Sequence, residues 1–277
     1  MRIALYTTLA LVAFAFNSIL CRLALRSEAI DPASFTSVRL ISGAVTLITL
    51  SYFFSKGGNA KRGNWISAFF LFAYAICFSF AYISLTAGTG ALILFGCVQL
   101  TMIATALFRG ERPRILEWIG LAAALGGLVY LVFPGLSSPP PVSSALMAAA
   151  GVAWGFYTLR GKGSGDPLAD TTGNFIRSVP MVILISIPII SQMHLSSRGV
   201  LLAVLSGSVA SGIGYTIWYA ALKHLVATRA AIVQLAVPVI AAIGGVLFLA
   251  ETATMRLWIA GLLILGGIAL TIFSKSK

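Results

Sequence analysis

An all-α integral membrane fold is predicted for this chain: ten transmembrane helices arranged as two inverted five-helix repeats. Three observations predict it. The 277 residues are 59% hydrophobic and only 9% charged, whereas soluble domains carry about 25% charged residues. Apolar stretches of near-membrane length recur along the whole chain, each close to the roughly 20 residues a helix needs to cross the hydrocarbon core. Distinctive side chains also return at one offset, with Glu111 and Glu251 standing 140 positions apart.

The spans read in order as 3–25, 33–54, 65–86, 88–108, 116–133, 142–160, 172–191, 199–222, 226–249 and 254–274. Helices are chosen over barrel strands because the runs are continuous, whereas barrel strands are about ten residues long and alternate in polarity. Arg2 and the following apolar run could mimic a signal peptide. That run continues to Leu25, longer than a usual signal core, so span one is kept. Spans three and four are separated only by a sharp reversal built from the small residues around Ala87-Gly88. The segment Pro134 to Ser144, with Pro139-Pro140-Pro141, is the clearest break. The expected organisation is therefore a first repeat over 1–134, a connecting loop over 135–141 and a second repeat over 142–277.

The repeat carries the topology. Leu107-Phe108, Trp118-Ile119 and Gly126-Gly127 recur as Leu247-Phe248, Trp258-Ile259 and Gly266-Gly267, and Val12, Ala13 and Phe16 as Val152, Ala153 and Phe156. With small shifts, Arg39 pairs with Arg177 and Tyr82 with Tyr219. Five spans per half is an odd number, so the second half starts from the opposite face of the membrane. Orientation follows from Lys and Arg. Arg2, Lys56, Lys61, Arg62, Arg109, Arg112, Arg114, Arg160, Lys162, Lys223, Arg229, Lys275 and Lys277 fall on the side of the termini, against Arg22, Arg26, Arg198 and Arg256 on the other. Both termini are thus expected in the cytoplasm, with the chain multi-pass in the plasma (inner) membrane. The net charge of +12 is read as this signal plus contact with anionic lipid headgroups. No basic helix or aromatic–basic platform points to nucleic acid.

Ten spans, two inverted halves and a Glu closing the fourth span of each half resemble the drug/metabolite transporter superfamily, and its EamA-type members in particular. The stretches that carry the resemblance are Leu107-Phe108-Arg109-Gly110-Glu111 with Trp118-Ile119-Gly120, Pro238 to Leu249-Ala250-Glu251 with Trp258-Ile259-Ala260-Gly261, and Phe16-Asn17-Ser18 leading to Arg39. Within the superfamily the chain looks most like the YddG-type exporters of aromatic amino acids. One departure is that Val98-Gln99 stands where the second half has Pro238-Val239. The resemblance implies export of small metabolites, aromatic and other neutral amino acids first, through a central cavity that opens alternately to each side.

Such a cavity lies near the bilayer centre, where the repeats meet. The substrate-binding candidates at that depth are Asn17, Tyr74, Phe78, Tyr82, Phe95, Gln99, Trp154, Tyr157 and Tyr215. Tyr74, Phe78 and Tyr82 are spaced i, i+4, i+8 on one helical face. A tyrosine hydroxyl, an indole N–H or a side-chain amide facing lipid would lack a partner, although helix–helix hydrogen bonding would satisfy Gln99 equally well. Ser18, Trp218, Tyr219 and Gln234 also belong to this depth, although Tyr82, Trp218 and Tyr219 read equally well as part of an interfacial belt. Trp65, Trp118 and Trp258 are read as interfacial anchors. Arg39 and Arg177 lie inside spans two and seven and remain open between two roles, snorkelling or anchoring and capture of a substrate carboxylate. Glu111 and Glu251 are read as structural, accepting from backbone N–H groups in their turns. Pro180, Pro188 and Pro238 are expected to interrupt helices, and Gly207, Gly212, Gly214, Gly244 and Gly245 to allow close packing or bending.

Other chemistries find little support. Cys21, Cys77 and Cys97 form no CxxC pair, so neither a disulfide framework nor a zinc site is expected. No GxSxG or HExxH is present. Gly155 to Gly161-Lys162 misses the P-loop spacing and has Gly163 where Ser or Thr is needed. No enzyme activity and no cofactor are expected. No acid lies mid-span, so passive or exchange-type transport is expected in place of a proton relay. A drug or cation exporter, a lipid flippase and a membrane scaffold are the alternatives carried forward. A monomer suffices for such a fold, although the sequence sets no oligomeric state.

Overall fold

The computed structural model describes residues 2–54, 63–108, 110, 115–133, 135, 138–161, 164–187, 193–222, 224–225 and 233–275. Among them are ten helical segments: α1 Arg2–Arg26, α2 Pro32–Phe54, α3 Trp65–Ala81, α4 Ala87–Phe108, α5 Ile115–Val132, α6 Pro141–Gly161, α7 Pro167–Ser186, α8 Ser197–Leu222, α9 Ala236–Leu249 and α10 Met255–Lys275. Six are long and apolar enough to cross a membrane, and α3, α9 and Met255–Leu270 of α10 are shorter apolar helices. Among the described residues the only β pairing is an isolated bridge between Ile30 and Leu195. Glu111, Pro134, Pro188 and the cations Lys56, Lys61, Arg62, Arg109, Arg112, Arg114, Lys162, Lys223, Arg229 and Lys277 lie outside the described residues.

Two boundaries differ from expectation for identifiable reasons. Helix α7 begins at Pro167, ahead of the expected 172, because the Asp166 side chain accepts from the Ala169 N–H and Pro167 occupies the first turn, where a missing N–H costs nothing. Hydropathy alone passed over this polar opening. Helix α3 ends at Ala81, short of the expected 86, because the Tyr82 and Ile83 carbonyls accept from Arg22 instead of closing further turns. Pro238 stands in the first turn of the described part of α9, and residues 226–232 of the expected ninth span lie outside the described residues.

The outside of the bundle is apolar. Tyr52, Phe53, Phe108, Leu247 and Leu262 are among many large hydrophobic side chains left exposed, while Asn17, Arg39, Gln99 and several serines are buried. A water-soluble protein arranges these classes the other way round. Helix α5 packs chiefly on α10, whereas α1, α2, α3, α4, α6 and α8 form the body around the buried polar residues. The α5–α10 contact uses small residues: a Cβ at Gly127 would press on Leu263 and Ile264, and one at Gly267 would meet the Gly120 carbonyl. Their neighbours Gly126 and Gly266 face open space.

Helix α8 widens into a π-helical stretch over Ser206–Ile213, a form frequent at functional sites. Its backbone lies directly on α2, where a Cβ at Gly207 would overlap the Arg39 carbonyl and the Ser42 hydroxyl. This contact sets the depth at which α2 presents Arg39.

The end of the bundle where α1 finishes is closed by a latch. Arg22 Nε lies 3.1 Å from Glu251 Oε1, and the other Glu251 oxygen accepts from the Ala87 N–H at 2.8 Å. Arg22 Nη1 donates to the Tyr82 and Ile83 carbonyls, and Arg26 donates to the Leu249 carbonyl. Glu251 thus serves a backbone N–H as expected, but that of α4, not one in its own turn. Three helix ends and the α3–α4 turn are tied together. Beside the latch, Asp31 accepts from the Ala33, Ser34 and His194 N–H groups. Partial burial pushes its pKa up, but these hydrogen bonds prevail and hold the carboxyl below its ordinary range.

Gly207→Ala is expected to lower the melting temperature of the purified protein in detergent, by overpacking worth about 1–3 kcal/mol, while Gly126→Ala leaves it unchanged. Equal melting temperatures for the two variants would show that the α2–α8 contact is not tight. In a variant keeping only Cys21, which is buried beside the latch, Glu251→Gln is expected to speed maleimide labelling several-fold. An unchanged labelling rate would mean the latch does not hold this end shut.

Candidate functional site

Every helix facing the centre contributes one turn of its polar or aromatic residues. Asn17 and Phe14 come from α1, Tyr74 and Phe78 from α3, Phe95 from α4, Trp154 from α6 and Tyr215 from α8. Together with Ser18 and Leu94 they line a cavity of about 10 Å³. That is room for about one water molecule, so the site is contracted around its own side chains.

The aromatic rings lock together. Trp154 packs against Tyr74 at 4.9 Å between centroids, Tyr215 at 4.7 Å, Tyr157 at 5.4 Å and Phe14 at 6.0 Å. Phe78 packs on Tyr74 at 5.3 Å and on Tyr82 at 4.7 Å. These tilted and edge-on arrangements suit ring quadrupoles.

Behind the Tyr74–Tyr215 wall sits Arg39, with 1% of its surface exposed. It lies seven residues into α2, roughly 10 Å along the axis at 1.5 Å per residue. Its Nε donates to the Ser211 hydroxyl at 3.2 Å, and its Nη2 donates to the Tyr74 and Tyr215 hydroxyls at 3.1 Å each. The guanidinium also lies 5.1 Å from the Tyr74 ring centroid and 5.0 Å from that of Phe78, within cation–π range. Asn17 completes the network: its amide N–H donates to the Tyr74 hydroxyl at 3.1 Å, and its oxygen accepts from the Ser206 hydroxyl. Ser206 and Ser211 both belong to the π-helical stretch, so α8 reaches α1 and α2 through side chains as well as backbone.

Six of the expected site residues, Asn17, Tyr74, Phe78, Phe95, Trp154 and Tyr215, line this one cavity. The other three stand apart from it. Tyr82 is buried nearer the latch and donates to the Ala87 carbonyl at 3.3 Å. Gln99 is buried one turn beyond Phe95. Tyr157 lines a second, polar pocket of about 250 Å³ at the opposite end, with Asn64, Ser67, Arg160, Asp170, Asn174 and Tyr219 among its walls. Trp218 and Tyr219 are buried, which places them away from the bundle surface, whereas Trp65, Trp118 and Trp258 are exposed in the first turns of α3, α5 and α10.

Phe14, Ser206 and Ser211 are not among the expected substrate-binding residues, and Arg39 is expected only as one of two arginines open between anchoring and carboxylate capture. The charge of Arg39 inside a span was the visible signal for it. Phe14 reads as ordinary core, and the two serines as small residues for packing. The counterpart Arg177 is different: it sits on the Trp65 ring at 6.0 Å and donates to the Gly173 carbonyl, partly exposed on α7. No group of three or more potential metal ligands occurs among the described residues.

Comparison with known proteins agrees with this architecture. The model of the EamA-like transporter family matches residues 1–133 and 143–273. An uncharacterized protein of Pseudomonas aeruginosa is 49% identical over 97% of this chain and 94% of its own length. The uncharacterized transporter YwfM of Bacillus subtilis is 26% identical over 88% of this chain and 85% of its own, and an uncharacterized transporter of Archaeoglobus fulgidus 25% identical over 72% of each. One crystal structure superposes with a TM-score of 0.67 at 22% identity, covering 95% of this chain and 98% of that one, which establishes a shared fold. With the family model matching nearly its whole length and an apolar-surfaced helical bundle to go with it, the chain belongs to the EamA-like transporter family of multi-pass membrane proteins.

Proposed function

We propose that this transporter exports small amphipathic metabolites, aromatic and other neutral amino acids first, through the central aromatic cluster. The observation that carries the reading is the convergence of Asn17, Tyr74, Trp154 and Tyr215 from α1, α3, α6 and α8 on one buried cavity. Rings offer stacking to an apolar side chain, and hydroxyls and amide offer hydrogen bonds to its polar end. Metabolite sites are normally some 300–1,000 Å³, so a cavity of about 10 Å³ has to expand by relative movement of the helices.

Alternating access is the motion proposed. The latch closes one end, while the polar pocket at the other reaches Tyr157, which packs on Trp154. Two inverted repeats, 1–134 and 142–277 joined by 135–141, provide the moving bodies. The separate family matches and the like environments of Gly126 and Gly266, and of Gly127 and Gly267, support that division. The Lys and Arg bias supports cytoplasmic termini in the plasma membrane, which puts the latch on the outer face. Facilitated or exchange-type transport is proposed because the residues lining this cavity include no acid that could relay a proton.

One observation favours a lipid substrate instead. A lateral groove of about 910 Å³ is lined by Ile48, Tyr52, Trp65, Ile176, Arg177 and Pro180, among others, on α2, α3 and α7. It shares no lining residue with the central cavity, so it offers a lipid a resting place but no path through the centre.

Proteoliposomes preloaded with phenylalanine are expected to take up labelled phenylalanine. Trp154→Ala and Tyr74→Ala should each slow this by about tenfold, the value of lost ring contacts. Movement of fluorescent phospholipid between leaflets with no amino-acid uptake would favour the lateral groove. Dissipating a pH gradient is expected to leave phenylalanine counterflow unaltered, and its abolition would reverse the assignment of passive transport.

A further inference from the structure

We infer that Arg39 is the carboxylate-recognition group of this transporter, so that its substrates carry an oxyanion and its site discriminates against organic cations. The inference rests on the central cluster being the transport site.

The argument is one of donors and acceptors. Arg39 has five N–H bonds. Three are used, on Ser211, Tyr74 and Tyr215, and buried Nη1 has no partner. The oxygen of Tyr74 already accepts from Asn17, Arg39 and, at 3.4 Å, Tyr215. Its own O–H, on the cavity wall, is left to donate elsewhere. The Trp218 indole N–H, on a ring packed 5.7 Å from Phe14, is also buried without an acceptor. The Ser18 hydroxyl on the same wall is unpartnered too and can donate or accept, so the unpaired donors of the cluster outnumber its unpaired acceptors.

Its charge is unbalanced in the same sense. No carboxylate of the described residues lies within ion-pair distance of Arg39. Its neighbours are hydroxyls and ring faces. A fixed neutral cradle softens the burial of a guanidinium but does not cancel its charge. A planar carboxylate would do both things at once: its two oxygens match the guanidinium fork and accept the free Tyr74 hydroxyl hydrogen. The tyrosines stand between Arg39 and the cavity, so expansion of the cavity exposes hydroxyls first and Nη1 behind them. An apolar or aromatic tail would then occupy the Phe14–Phe78–Trp154 side. A substrate amine has no acid to meet there and would rest on ring faces. A ligand with an amine and no carboxylate would bring a second cation beside Arg39.

The test is competition against labelled phenylalanine in proteoliposomes carrying the full-length protein. Three unlabelled compounds are compared: phenylalanine, 3-phenylpropanoate, which lacks the amine, and phenethylamine, which lacks the carboxylate. The first two should compete comparably, and phenethylamine on the order of thirtyfold more weakly, the scale of an unmatched buried charge. Arg39→Gln should abolish that preference and Arg39→Lys retain part of it. Equal competition by phenethylamine, or an unchanged preference in Arg39→Gln, would overturn the inference and leave transport through the cluster standing. The wild-type comparison decides the matter even where Arg39→Gln does not fold. If phenylalanine is not carried at all, thermal stabilisation of the detergent-purified protein replaces it as the readout. Stabilisation by 3-phenylpropanoate and not by phenethylamine keeps the carboxylate site while removing amino-acid transport; stabilisation by neither removes both.

Discussion

A guanidinium buried in an apolar helical bundle is the constraint around which the centre of this transporter is organised. Left alone in hydrocarbon, a cation is strongly disfavoured. Here Arg39 is held by hydroxyls from Ser211, Tyr74 and Tyr215 and by the faces of Tyr74 and Phe78. Satisfying it recruits α2, α3 and α8. Asn17 then draws in α1 through Tyr74 and Ser206. The geometry depends on the π-helical stretch of α8, which brings Gly207 onto the Arg39 backbone while Ser206 and Ser211 face the network. Bulk at that contact would push α2 away and break the hydrogen bonds on both sides of it.

The two ends of the bundle are built differently, and this matters for a transporter. One end is cross-tied by charge and backbone groups, with Glu251 answering both Arg22 and the Ala87 N–H. Such a tie is directional and breaks as a unit. The other end has a polar pocket whose Tyr157 abuts the central ring cluster. Between them the cavity is nearly filled by its own side chains. The structure is therefore closed at one end and contracted at the centre, and it is the latched end that the proposed alternating access would have to unlock.

Small residues also explain how a bundle with little apolar driving force between its helices stays assembled. In lipid, helices associate through close packing and hydrogen bonds. Gly127 and Gly267 bring α5 and α10 into backbone contact, and a Cβ at the adjacent Gly126 or Gly266 would point into open space. The repeat places matching glycines in matching surroundings here. In the centre the correspondence fails: Arg39 is enclosed by the tyrosines, while its counterpart Arg177 lies beside Trp65 on α7. The paired glycines thus have like surroundings, and the paired arginines do not.

By itself the sequence determined the all-helical membrane class of fold, the approximate limits of most helices, the distribution of Lys and Arg, and a short list of residue types for the centre. These properties are averages along the chain, and hydropathy measures them directly. It placed α1, α2, α5, α6 and α8 to within two residues at each end, and missed the start of α7 because capping by Asp166 and Pro167 lies outside any apolar run. It also put Asn17, Tyr74, Phe78, Phe95, Trp154 and Tyr215 on the list that proved to share one cavity. Only the tertiary structure decided which intramembrane arginine is enclosed, that Tyr82, Gln99 and Tyr157 stand away from that cavity, and that serines of a π-helical turn complete the network. The physical reason is rotation. A helix that is apolar nearly all round carries no clear signal of which face turns inward, so its facing is set by packing and by partners distant in sequence. Arg39 meets Ser211 and Tyr215 across more than 170 residues, and no local pattern records that encounter.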